Sequence, residues 1–358
     1  MAAARRVVVK IGSRLLAESP AGRPAAVADQ VVALRARGVE VVVVSSGAIA
    51  LGVRALGLSA RPTALPALQA AAAAGQSRLM QHWEHAFGVH GRVIGQVLLT
   101  HDDLGDRRRF LSARLTLRAL LDLGAIPIIN ENDTVATEEI KFGDNDQLAA
   151  LVCNLVSADA LVILTDVDGV LDGDGRRLPL LTDDAELAAL AGPVTADGVG
   201  SGGMASKVGS ARRVTRTGVP CVIAPGRNPA VLAEVLAGRD VGTLCAPSTS
   251  PLSSRKHWIA WGAKPVGRLV IDAGAVRALT TLGKSLLPAG VVEVVGDFGL
   301  GETVGVVGPD GREVARGLVA FDADDLRRIR GLHSAQIEAT LGARGPGEVI
   351  HRDDLVIL

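Results

Sequence analysis

The chain contains no tyrosine, and its five phenylalanines and three tryptophans make up only 2% of 358 residues. An RNA platform built on aromatic stacking is not expected from such a composition. Its three cysteines, Cys153, Cys221 and Cys245, lie far apart and form no CxxC pair. That pattern fits neither a disulfide framework nor a cysteine zinc site, and it suits a reducing compartment. Charge of neither sign predominates, since Lys plus Arg and Asp plus Glu both number 38. A neutral chain has no global field to gather nucleic acid or an anionic membrane. No apolar run reaches the roughly 18 residues of a membrane span. The opening MAAARRVVVKIG is too short in apolar length for a signal peptide and reads as a strand. HExxH, GxSxG and metal-spaced histidines are also missing. The setting expected is cytoplasmic.

What is present is a globular composition, 48% hydrophobic and 21% charged, on a length that favours two domains. Short β-branched runs alternate with longer helical stretches to about residue 245. Strands are expected at Val7–Ile11, Val41–Val44, Val93–Leu99, Ile126–Ile129, Leu161–Leu164 and Cys221–Ile223. Helices are expected at Pro24–Arg37, Leu68–Phe87, Arg109–Leu123, Asp144–Val156, Met204–Thr217 and Pro229–Leu236. Continuously apolar strands point to a mostly parallel sheet buried on both faces, hence an αβα sandwich. A Pro/Ser cluster at 246–251 breaks the pattern. Beyond it, short strands separated by Gly-rich turns predict a small β-barrel. The expected division is a first domain over 1–250, a linker over 251–265 and a second domain over 266–358. Residues 263–358 carry a net charge of −2.

Five Gly-rich or polar clusters fall where strands of the first domain end, the edge at which open α/β sheets bind ligands. Lys10-Ile11-Gly12-Ser13 sets an ammonium and backbone N–H groups where phosphates could lie; the plain alternative is a solvated lysine before a turn. Ser45-Ser46-Gly47-Ala48 lets a ligand approach the backbone, or is a simple N-cap. Asn130-Glu131-Asn132-Asp133-Thr134 places five polar groups after a buried strand, costly unless they bind something. Gly143-Asp144-Asn145-Asp146 opens a helix, either as a cap or as groups that meet an ammonium or orient lysines. Thr165-Asp166 follows a strand, while Ser201-Gly202-Gly203-Met204-Ala205-Ser206-Lys207 opens a helix with the logic of a phosphate cradle. It is not a Walker motif. The nearest such string, Gly283-Lys284-Ser285, has Ala278 where glycine is required.

In order along the chain, VVVKIGS, SSGAIALG, AAAGQSRLMQHWE, the long segment DRRRFLSARLTLRALLDLGAIPIINENDTVATEEIKFGDNDQLAALV, LTDVDGVL and SGGMASK resemble the amino-acid kinase family. The tail from GRLVIDAGAVRAL to HRDDLVIL resembles a PUA domain. Within the family the likeness is to members that phosphorylate the γ-carboxylate of free L-glutamate, with ATP as co-substrate and Mg²⁺.

The resemblance implies that Lys10, Lys207 and Asp146 are catalytic, with Asp146 orienting the lysines. It implies that Ser46, Asp133, Asn145 and Asp144 face the amino acid. It assigns Lys10, Gly12, Ser13, Thr165, Asp166 and the segment Ser201, Gly202, Gly203, Met204, Ala205, Ser206, Lys207 to the nucleotide. It further implies feedback inhibition by L-proline, a homo-oligomer and a reductase that takes the labile product. Three positions depart from the pattern. Ser13 and Ser201 stand where threonine is common, and Gly169-Val170-Leu171 lacks the aromatic that usually follows Thr-Asp. Rival readings are a kinase of another amino acid, such as aspartate or N-acetylglutamate, and an RNA-binding PUA protein.

Overall fold

The computed structural model describes residues 1–136, 144–191, 203–248, 256, 258–333, 336–342 and 347–358. The chain divides into two compact units, Met1–Pro251 and Leu252–Leu358.

The first unit is built on eight strands: β1 (Arg6–Ile11), β2 (Glu40–Ser45), β3 (Ile94–Leu99), β4 (Ile126–Glu131), β5 (Ala160–Thr165), β6 (Leu180–Leu181), β7 (Cys221–Pro225) and β8 (Thr243–Cys245). Their order across the sheet is β3-β4-β2-β1-β5-β7-β8-β6. Every pairing from β3 to β7 is parallel; β8 runs against β7, with β6 parallel to β8 at the edge. Val7 to Val9, Val41 to Val44 and Leu161 to Leu164 are fully buried. Helices on both faces account for this, and the expected αβα sandwich with a mostly parallel sheet is what forms.

The strands expected from the sequence are all present. The edge pair β6 and β8 is not legible there, because two or three residues carry no period. The helix Ala48–Ala55 follows the Ser45-Ser46-Gly47 cluster, where a helix start is expected, whereas three other short helices of this unit, at Ser13–Glu18, His101–Gly105 and Asp184–Ala191, are not expected from the sequence. The helix Arg107–Asp122 starts two residues early because Asp106 caps it, accepting the Arg109 N–H at 2.9 Å.

Two helices cross with unusual intimacy. A Cβ on Gly75, in the helix Leu65–Gly88, would lie 1.7 Å from Ala48 O, and one on Gly52 would lie 1.7 Å from Ala71 O. Glycine is required at both because backbone meets backbone there. Gly47, just before the helix Ala48–Ala55, has φ +107°, the other backbone demand in this corner.

The second unit has a five-stranded sheet, β10-β9-β11-β12-β13, from β9 (Gly267–Ile271), β10 (Val291–Gly296), β11 (Thr303–Val307), β12 (Glu313–Leu318) and β13 (Leu355–Ile357). It encloses its own core, including Leu269, Ile271, Val304, Val306 and Leu326. The C-terminal residues return to pair with β12, setting Ile357 opposite Ala315. Part of the stretch expected as a linker is packed into this unit. Ile259 and Ala260 are fully buried with Val356, and Arg316 Nη1 donates to Ala260 O at 3.0 Å. Among the described residues no helix is long and apolar enough to cross a membrane.

Candidate active site

Strands β1, β2, β4 and β5 are neighbours and parallel, so their last residues share one edge of the sheet. Lys10 pairs in register with Val44 and Ile163, and Ile11 with Ser45 and Leu164. Lys10, Ser45, Asn130, Glu131 and Thr165 therefore end the central strands side by side. Ser46 N donates to Ile11 O at 3.2 Å and Gly12 N to Leu164 O at 3.3 Å, tying both loops to that edge.

Asp146 lies in the first turn of the helix Asp144–Val156 and is 1% exposed, so its charge must be met inside the protein. Two ammonium groups meet it. Lys10 pairs with one carboxylate oxygen, and Lys207 Nζ lies 3.2 Å from the other. Lys207 projects from the helix Met204–Thr215 and is itself buried. Burial works against the Asp146 charge, but Lys10 and then Lys207 outweigh it and hold the carboxyl below the ordinary carboxylate range. Burial also lowers the Lys10 pKa against the pull of Asp146, and the like charge of Lys207 adds to that lowering. The cluster holds two cations and one anion, leaving one buried positive charge in excess.

The helix Met204–Thr215 begins beside this cluster. Its N-cap, Gly203, supplies no side-chain hydrogen bond, and no acidic residue occupies its first turn. The opening turn, with Met204, Ala205 and Ser206, thus presents an N-terminus suited to an anion. Ser201 and Gly202 lie outside the described residues, as does the side chain of Asp144.

On the other side of the edge, Asp133 follows β4. Burial pushes its pKa up to about 6, against the opposing pull of Arg61. Asn145 Oδ1 accepts the Glu131 N–H at 3.3 Å, which joins the Asp144–Val156 helix to the end of β4. Ser46 is buried beside Ser45, whose hydroxyl donates to Ser46 O at 3.2 Å and accepts from Trp83 Nε1 at 2.9 Å. Thr165 Oγ1 donates to Asp166 Oδ1 at 3.2 Å. Arg14 Nη1 approaches Asp166 Oδ2 at 3.3 Å, and Arg227 Nη1 donates to Asp166 O at 2.7 Å.

The structure thus brings Lys10, Asp146 and Lys207 into direct contact, and sets Gly12, Ser13, Ser46, Asp133, Asn145, Thr165 and Asp166 at strand ends or helix starts of the same unit. Arg14, Arg227, Gln76 and Trp83 were not singled out from the sequence. Gln76 and Trp83 fall in the segment AAAGQSRLMQHWE that carries the family likeness, but the sequence assigns neither a role until their partners are known. Among the described residues no cluster of three or more His, Cys, Asp or Glu side chains is placed to hold a metal.

The sequence profile of the amino acid kinase family matches residues 5–225, and that of the PUA domain matches residues 267–341. A protein of Pseudomonas putida (strain W619) named glutamate 5-kinase is 52% identical over 366 aligned positions, spanning 99% of this chain and 98% of that one. A protein of the same name from Geobacter sulfurreducens is 50% identical over 367 positions, spanning 99% and 98%. Among solved structures, N-acetylglutamate synthase from Neisseria gonorrhoeae, complexed with coenzyme A and N-acetyl-glutamate, superposes with a TM-score of 0.52 at 21% identity. That superposition covers 68% of this chain and 60% of the other, and it speaks for the fold alone. The chain belongs to the amino acid kinase family and carries a PUA domain after its kinase domain.

Proposed function

We propose that the chain transfers the γ-phosphoryl group of ATP to the γ-carboxylate of L-glutamate, giving L-glutamate 5-phosphate, the first step of proline synthesis. The observation that carries this reading is the Lys10–Asp146–Lys207 cluster, buried with one positive charge in excess at the edge that also bears Ser46 and Asp133. The likeness over nearly the full length of proteins named glutamate 5-kinase supports it.

A glutamate side chain, with an ordinary pKa of about 4.3, is already ionised at neutral pH and needs no general base. The difficulty is to bring that anion against a polyanion and to stabilise charge on the phosphoryl group in flight. Phosphoryl transfer is mostly positioning and electrostatics. Lys10 and Lys207 meet the transferring group. Asp146 holds both ammoniums in place beforehand, so they need not reorganise as charge builds. The turn Gly203 to Ser206, preceded by Ser201 and Gly202, covers the phosphates. Gly12 and Ser13 line them, and Thr165 and Asp166 contact the nucleotide. Asp133 takes the α-ammonium; Ser46, Asn145 and Asp144 complete the amino-acid side. Magnesium arrives with the nucleotide as MgATP. Both oxygens of Asp146 already meet lysines, so this carboxylate serves the ammoniums and not the ion.

The acyl phosphate is labile and passes to a reductase. L-Proline shares the α-carboxylate and cationic nitrogen of glutamate, and it inhibits by overlapping that half of the site. A homo-oligomer and a cytoplasmic setting complete the reading. The test is coupled ADP release with L-glutamate, L-aspartate and N-acetylglutamate offered separately. L-Glutamate alone should support turnover, and proline should slow it at sub-saturating glutamate. ADP release with either of the other acids but not with L-glutamate overturns the reading.

A further inference from the structure

The helix Leu65–Gly88 bears none of the residues assigned above, yet three of its side chains reach the amino-acid half of the edge. Gln69, Gln76 and Trp83 are spaced by seven, which places them along one helix face. Gln69 Nε2 donates to Ala136 O at 3.0 Å, just past Asp133. Gln76 Oε1 accepts from Asn130 Nδ2 at 2.7 Å, and Trp83 Nε1 donates to Ser45 Oγ beside Ser46. The middle contact differs from its neighbours. Gln76 Nε2 and Asn130 Oδ1 are both buried and have no hydrogen-bond partner among the described residues, and Asn130 is 2% exposed.

Buried side-chain polar atoms are normally satisfied, so two orphans on one bonded pair need a reason. Turning both amides over restores their mutual hydrogen bond and leaves the other nitrogen and the other oxygen without partners. Turning only one sets like atoms face to face. In either bonded arrangement the pair keeps one spare N–H donor and one spare carbonyl acceptor. A ligand that completes it must offer an acceptor and a donor close together. The α-carboxylate and α-ammonium of a free amino acid do so, and an ammonium has three N–H groups to divide between Asp133 and an amide oxygen.

We propose that Gln76 is a specificity-determining residue: with Asn130 it forms a donor–acceptor pair that receives the zwitterionic end of the amino-acid substrate. This rests on the reading of the site given under Proposed function. The experiment is steady-state kinetics on Gln76→Met, which keeps length and helix propensity while removing both polar atoms, and on Gln76→Ala, which cannot overpack. Melting curves with and without L-glutamate accompany both.

In each variant KM for L-glutamate should rise ~10-fold or more, with kcat within ~3-fold and KM for ATP nearly unchanged, the split expected when uniform ground-state binding is lost. The stabilisation of the fold by added L-glutamate should shrink in parallel. An unchanged glutamate KM in a folded variant overturns the proposal, as does a loss confined to kcat or to melting temperature. A parent protein that neither turns over nor binds L-glutamate overturns the reading of the site and this inference with it. An active parent with unaffected variants overturns this inference alone.

Discussion

The two halves of the strand edge settle their buried polarity differently. On the side of the two lysines, Asp146 meets both Lys10 and Lys207 before any ligand arrives, and one positive charge is left over. On the side of Asp133, that carboxyl's pKa is pushed up to about 6, and among the described residues Gln76 Nε2 and Asn130 Oδ1 have no hydrogen-bond partner. In the proposed reaction, the first half is preorganised for charge that develops during transfer. The second, on the proposal above, is finished by the ligand, and such a site rejects ligands that lack the matching groups.

Substitutions in each half should therefore fail in different ways. The largest effect is expected for Lys207→Ala, which should lower kcat ~100-fold or more with a smaller change in glutamate KM, the order found when one transition-state donor is removed. A kcat within twofold of the parent would erase the contrast. Asp133→Ala should leave kcat closer to the parent and raise glutamate KM ~10- to 100-fold, the equivalent of a charged hydrogen bond of about 1.5–3 kcal/mol. A rise in the ATP KM alone would put Asp133 on the wrong half.

The pH profile sharpens the same contrast. Asp133 must be ionised to meet an ammonium, and its pKa in the free protein is raised to about 6. Glutamate kcat/KM should thus be full above about 6 and fall roughly tenfold per pH unit below it, a slope that Asp133→Asn should abolish. The sign for stability is opposite. A carboxyl whose folded pKa exceeds its unfolded value penalises the fold above about 6, and that penalty fades as the pH falls.

Gly75→Ala tests the scaffold and not the chemistry. Its Cβ would lie 1.7 Å from Ala48 O, so the two helices must part. Thermal melting should show a loss of about 1–3 kcal/mol, with glutamate KM also raised because Gln76 is the next residue. The smallest effect is expected from removing the C-terminal unit. Residues 1–251 form a compact unit that contains every site residue named above, so they should stay folded and retain glutamate-dependent ADP release. Loss of that activity in a soluble fragment would tie the second unit to catalysis.

Much of this organisation is legible in the sequence because it is local. Val7–Ile11 and Val41–Val44 announce buried parallel strands, and the polar clusters stand out because each interrupts apolar chain at a strand end. What remains hidden is non-local. That Lys10 and Lys207 share one carboxylate depends on two helices and a strand meeting in space. Gln76 stands just after a run of alanines, in a segment whose likeness marks the family but assigns this side chain no role, and its meaning appears once Asn130 stands opposite. The pair β6 and β8 is too short for periodicity to register.

One carboxylate serving two buried ammoniums also tolerates loss unevenly. Removing either lysine leaves an even one-to-one pair, whereas removing Asp146 strands two like charges in the interior, the kind of change that costs about 3–5 kcal/mol. The second lysine is thus a load on the resting fold that, in the proposed reaction, an arriving phosphoryl group relieves. Selection for heat resistance without a screen for activity should be drawn to this spot. It should replace a lysine before it touches the aspartate, and yield a protein harder to melt and unable to turn over.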